Sequence, residues 1–145
     1  MPIIIDGWNL IRNDLSPIDD YQADSIEAVK ELVSLLIAYQ SSHKDPIIVV
    51  FDSKNEYLGL EYRNNASLSI VASSNADDFI KRLIDDIPER QRRNARVVSS
   101  DNEIYFYAKS SYAVPVRSEE FWRRLERGTD KRHHNRRQNV RGEDI

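Results

Sequence analysis

The chain has no cysteine, and that absence alone removes disulfide bridges, thiolate zinc sites and cysteine nucleophiles from consideration. Histidine is nearly as scarce. His43 falls in a turn-like stretch and His133 and His134 lie near the C-terminus, so a zinc centre is not expected. No apolar run approaches bilayer length, so no membrane partner is expected. No basic region precedes the short apolar run at the start, so no signal peptide is expected and a cytoplasmic setting is the default. What is present is 145 residues, 40% apolar and 31% charged, the profile of one soluble globular domain.

The net charge of −3 is unevenly divided. Residues 127–141 hold Arg127, Lys131, Arg132, Arg136, Arg137 and Arg141 against the single acid Asp130. The body is correspondingly acidic. A basic tail on an acidic body fits an anionic partner, nucleic acid first and anionic membrane second, although many such tails are only solvated ends. Residues 127–145 carry almost no apolar side chain apart from Val140 and Ile145, so they are expected to form a flexible tail behind a domain of residues 1–126.

Three apolar runs end on an acid: Ile3-Ile4-Ile5 on Asp6, Ile47-Ile48-Val49-Val50-Phe51 on Asp52, and Val97-Val98-Ser99-Ser100 on Asp101. The unbroken β-branched character of residues 47–51 marks a strand buried on both faces. Between the first two runs, Ile26, Val29, Leu32, Val33, Leu36 and Ile37 recur at helical spacing within 24–41, and Pro46 follows the helix end. Strand, helix, strand is a βαβ unit. The pattern then predicts a short helix at 55–64, a strand at 68–71, a helix over 76–87 and a strand at 96–99. It continues with a helix from 101 to about 111, in which Ser100 and Glu103 stand at capping-box spacing. A short strand at 113–116 and a last helix opened by Ser118-Glu119-Glu120 complete it. The fold class is α/β: a doubly wound, three-layer α/β/α sandwich with a mainly parallel sheet.

In such a sheet the strand ends share one edge, the edge where ligands bind. Asp77, at the start of the helix after the third strand, joins Asp6, Asp52 and Asp101 there, with Asp78 close behind. Clustered carboxylates repel one another unless a cation or protons neutralise them. Hard divalent ions take carboxylate oxygen, lower the pKa of an attacking water and stabilise a phosphodiester's leaving oxygen, so Mg²⁺ or Mn²⁺ is the expected cofactor. Each acid also has a plainer reading. Asp77 and Asp101 would serve as helix caps or dipole partners, and Asp6-Gly7 and Asp52-Ser53 as turns. Asn9, expected where the chain leaves the first strand for a loop, would bond Asp6, a ligand water or a phosphate, or else cap the next turn.

Ile3-Ile4-Ile5-Asp6-Gly7-Trp8-Asn9-Leu10-Ile11, Val49-Val50-Phe51-Asp52, Ala76-Asp77-Asp78-Phe79-Ile80 and Ser99-Ser100-Asp101 resemble, in order and spacing, the NYN domains. Within these the match is to the YacP-like branch of the PIN-like nucleases. The likeness runs from residue 2 to about 126, since Val116-Arg117-Ser118-Glu119-Glu120-Phe121 resembles that branch's closing strand and helix. The resemblance implies a PIN-type sandwich and a Mg²⁺- or Mn²⁺-dependent endoribonuclease. It maps metal binding onto Asp6, Asp77 and Asp101, with Asp52 more peripheral. Members of the branch include ribosome-associated mRNA cleavers, so RNA, including mRNA on the ribosome, is the implied partner. Trp8 stands where Tyr is more usual, and Ser99 where Thr is common.

Around the predicted site, Arg12 and Lys54 would hold phosphates, and Trp8 and Tyr57 would stack on bases, with core packing the alternative for Trp8. Lys81 and Arg82 read as a solvated helix face. The Arg90–Arg96 run joins a helix end to a strand start and belongs at the opposite edge. Lys131, Arg132, Arg136 and Arg137 of the tail would add salt-sensitive RNA affinity. A rival reading is a non-catalytic RNA- or partner-binding domain using the same pocket and tail. A phospho-receiver would want a lysine where Val114-Pro115-Val116-Arg117 stands, and an aspartyl phosphatase a second Asp at Trp8. Oligomeric state is not legible in the sequence.

Overall fold

The computed structural model describes residues 1–18, 26–53 and 67–127. Five strands form one all-parallel sheet in the order β3-β2-β1-β4-β5. They are β1 (Ile3–Asp6), β2 (Ile47–Asp52), β3 (Leu68–Ser73), β4 (Arg96–Val98) and β5 (Val114–Val116). The helices are α1 (Gly7–Ile11), α2 (Ile26–Gln40), α3 (Ala76–Asp86), α4 (Glu89–Arg92), α5 (Asn102–Ser110) and α6 (118–127). The expected strands and longer helices are all present. The helix expected at 55–64, Lys54, Tyr57 and the tail from 128 on lie outside the described residues.

Alternation along the strands sorts the side chains into two layers. Ile3, Ile5, Val49, Phe51 and Val98 face α1, α2 and α6, meeting Leu32, Leu36, Phe121 and Trp122. Ile4, Val50 and Val97 face the other way, onto Ile80 and Ile84 of α3 and Ile104 and Ala108 of α5. Both faces of the sheet are therefore covered, as parallel sheets require, and the α/β/α sandwich follows. β1 pairs with β2 on one side and β4 on the other, Ile4 lying opposite both Ile48 and Val97. The chain runs outward from β1 through β2 to β3, then returns to place β4 beside β1. That reversal is the topological switch point, where open α/β sheets build their crevice.

Two local differences from the expectation shape the crevice. Residues 7–11 are helical rather than a loop, so Asn9 sits on the first turn after β1. Gly7 makes that turn possible, because a Cβ there would overlap the Phe51 ring. The second concerns α5, whose cap is Asp101 rather than Ser100: the Asp101 carboxylate accepts the N–H groups of Glu103 and Ile104. The extra helix α4 gathers part of the Arg90–Arg96 run. There Arg92 donates to the Ile87 and Asp85 carbonyls, and Arg96 pairs with Asp45 at the far edge.

Candidate active site

At the C-terminal edge of the sheet an open cavity of about 660 Å³ is lined by Asp6, Trp8, Asn9, Arg12, Asn13, Asp14, Asp52, Ala76, Asp77, Ser100 and Asp101. Asp6 and Asp52 reach it from strand ends, Asp101 from the loop after β4, and Asp77 from the first turn of α3. All four arrive there because parallel strands point the same way.

Asp6 is the anchored member. Its Oδ2 accepts the Ser99 hydroxyl at 3.0 Å, and it also accepts the backbone N–H of Asn9. Its carboxyl is pushed up to about 6, chiefly by burial and then by the neighbouring Asp77 and Asp101, with the Ser99 hydroxyl and the Asn9 N–H opposing. The neighbours that raise it are anions, and the groups that lower it are neutral donors. Asp77 is more open, and its pKa is also raised, first by partial burial and then by Asp101 and Glu103, with Lys81 opposing. Carboxylates that resist ionisation first because they are buried and then because they face one another are ones that a cation would relieve.

Behind the carboxylates lies a hydrogen-bonded brace. The Asn9 Oδ1 accepts the Ser100 N–H at 2.8 Å and the Ser118 hydroxyl at 2.7 Å, tying the exit of β1 to the exit of β4 and the start of α6. The Ser100 hydroxyl donates to Glu119 at 2.6 Å and accepts the Ser118 N–H, and Asn13 also donates to Glu119. These bonds hold Glu119 below its ordinary carboxylate value, chiefly through the Ser100 hydroxyl. Ser99, fully buried, links its two neighbours directly: it donates to Asp6 and accepts the Asp101 N–H at 3.1 Å.

Several expectations change here. The Asn9 side-chain oxygen is spent on the brace rather than turned to Asp6; only its backbone N–H reaches that carboxylate. Trp8 is 5% exposed, lies edge-on to Phe51 and donates its indole N–H to the Asp52 carbonyl, so packing rather than base stacking accounts for it. Arg12 lies at the rim with its guanidinium over the Trp8 ring. Asp78 does not line the cavity; it belongs to the α3 cap, bonded through its N–H and carboxylate to Asn75, and it is Asn75 rather than Asp77 that caps this helix. Lys81 is not merely solvated, because it pairs with Glu103 across the α3–α5 seam. Asn13, Asp14, Ser118 and Glu119 were missed. Only Ser118 and Glu119 carried a signal, as helix-opening residues of the last motif.

Among the described residues, no three acidic or histidine side chains stand close enough to form a finished ligand set. The donors nevertheless suit a hard divalent ion. They are oxygen-only, anionic and mutually repelling, and Mg²⁺ commonly takes just one or two carboxylates while keeping water and substrate oxygen as its other ligands.

A family model described as the YacP-like NYN domain matches residues 3–144, further than the stretch ending near 126. Two solved structures of Rae1 (YacP) from Bacillus subtilis are similar to this chain. A single-substitution mutant of that protein has a TM-score of 0.74 at 21% identity, covering 100% of this chain and 86% of that one. A second structure has a TM-score of 0.68 at 24% identity, covering 96% and 83%. At these identities the likeness concerns the fold. No curated protein matches.

Proposed function

Since this chain belongs to the YacP-like NYN domain family, with a PIN-like nuclease fold, we propose that it is a metal-dependent endoribonuclease acting on single-stranded RNA, mRNA included, in the cytoplasm. The observation that carries this reading is the convergence of Asp6, Asp52, Asp77 and Asp101 on one cavity, with Asp6 pushed up to about 6 by burial and by its acidic neighbours.

Mg²⁺ or Mn²⁺ would take its one or two carboxylate ligands from Asp6, Asp77 and Asp101, with Asp52 at the margin and water or substrate oxygen completing the set. Such an ion supplies Lewis acidity, making water a competent nucleophile and offsetting charge on the phosphodiester. The protein's own part is orientation. Ser99 fixes the Asp6 carboxylate and the Asp101 backbone together, so the two acids cannot drift apart. Asp101 spends Oδ1 on the N–H groups of α5, which anchors its side chain at the cavity wall. Asn9 acts as a positioning residue by bracing the β4 exit. Arg12, at the rim, provides a cation for a phosphate beside the scissile one. Attack by water, with the bond from phosphorus to the 3′ oxygen breaking, leaves 3′-hydroxyl and 5′-phosphate ends.

The test is cleavage of single-stranded RNA by the purified chain with Mn²⁺, beside Asp77→Asn and beside a chelator control. The reading expects cleavage only by the native chain with metal. Equal cleavage by Asp77→Asn, or cleavage that persists in chelator, would contradict it.

A further inference from the structure

One exposed cluster near the cavity is left unused by this chemistry. Phe106 of α5 is 51% exposed. Beside it the Arg117 guanidinium stacks on Tyr105 at 3.7 Å from the ring centroid and stands 5.8 Å from that of Phe106. Tyr105 and Phe106 meet edge to face, their centroids 5.2 Å apart. Arg117 is held in place by donating to the Ser100 carbonyl at 3.0 Å and to Asn102 Oδ1 at 2.9 Å.

Position gives the cluster meaning. Ser100 lines the cavity, and Asp101 caps the helix that carries both rings. Tyr105 follows Asp101 by four residues, about one helical turn or roughly 6 Å along the axis. The inner positions of the helix, Ile104 and Ala108, are committed to the core, and Tyr107 is committed to Asp85 of α3. Phe106 serves neither. An open aromatic face next to a guanidinium pinned to the cavity wall has the chemistry that takes an unpaired nucleobase with its phosphate nearby.

We propose that Phe106, with Arg117 stacked on Tyr105, forms a stacking subsite for a nucleobase of single-stranded RNA flanking the scissile position. The proposal rests on the endoribonuclease reading. It extends that reading from the reacting phosphate to a neighbouring nucleotide, and it assigns Arg117 a role in substrate contact that the carboxylates cannot fill.

The experiment is fluorescence-anisotropy titration of the full chain with labelled oligoadenylate and oligouridylate in chelator, so that binding is read without cleavage. Phe106→Ala is expected to weaken oligoadenylate binding about ten-fold, to weaken oligouridylate less, and to be rescued by Phe106→Trp, because stacking strength follows ring area. Arg117→Lys keeps the charge but loses the flat stacked plane, and it is expected to fall between the two. Circular dichroism matching the native chain separates these effects from misfolding, which an exposed ring makes a minor concern. Native binding with Phe106→Ala equally tight would overturn the subsite and leave the endoribonuclease reading standing. A native chain that binds neither oligonucleotide in chelator would also overturn the subsite, while cleavage with Mn²⁺ tests the endoribonuclease reading separately.

Discussion

The two edges of the sheet treat aspartate in opposite ways. At the N-terminal edge, Asp45 meets Arg96 at 2.8 Å and the Met1 amino group at 3.3 Å, a carboxylate with cations on both oxygens. At the C-terminal edge, Asp6 meets a hydroxyl, a backbone N–H and two further acids, with no cation among them. The first arrangement closes the fold; the second costs it stability. Burial without a counter-charge is the feature that makes Asp6, and not Asp45, a functional-site candidate.

The largest contrast should appear in cleavage. Asp77→Asn is expected to lower the RNA cleavage rate at least about a hundred-fold, because it removes a carboxylate from the candidate metal site, whereas Asp45→Asn leaves the rate unchanged. Single-turnover kinetics on labelled RNA read both. A comparable loss in the two variants would erase the distinction between the edges.

Stability should move in the reverse sense. Asp6→Asn is expected to raise the unfolding free energy at pH 7 by on the order of 1–3 kcal/mol, while Asp45→Asn lowers it by about 1 kcal/mol. The pH dependence follows from the raised value. With its folded pKa near 6 against 3.8 in the unfolded chain, Asp6 binds more protons when folded across that interval. Its contribution therefore falls as pH rises through the interval, and the full penalty stands above it. The advantage of Asp6→Asn should accordingly vanish near pH 4 and be complete by about pH 7. Urea titrations across that range measure it.

Ser99→Ala sharpens the comparison within the acidic edge. It removes the donor that holds the Asp6 carboxyl down and leaves the Asp101 N–H without its acceptor. A loss of about 1–2 kcal/mol is expected, with the acid limb of the pH–rate profile displaced to higher pH. The smallest expected effect is thermal. Mn²⁺ should raise the melting temperature of the native chain by a few degrees, and that of Asp77→Asn by less. Differential scanning fluorimetry with and without chelator reads the difference.

Much of the acidic edge was legible because sheet periodicity fixes where a strand ends. Runs such as Ile3–Asp6 and Ile47–Asp52 announce their own C-terminal acids, and parallel pairing brings those acids to one rim. Local competition was harder to read. Ser100 and Asp101 both have cap chemistry, and in the fold Asp101 takes the helix N–H groups while Ser100 bonds Glu119. Asn9 was misplaced for a related reason. Gly7 allows a helix to begin directly above Phe51, where a turn was the ordinary expectation. Asn13 and Asp14 lie outside any period, and the helix-opening signal of Glu119 did not reveal its bonds to Ser100 and Asn13. The rings of Tyr105 and Phe106 drew no notice because helical spacing does not reveal which face a neighbouring arginine will cover.

The most direct measurement is a crystal structure of the native chain soaked in Mn²⁺, located by its anomalous signal. The account predicts a peak in the crevice within coordinating distance of at least two of Asp6, Asp77 and Asp101. A crystal that binds Mn²⁺ only elsewhere, with those carboxylates protonated or bonded to each other instead, would contradict it.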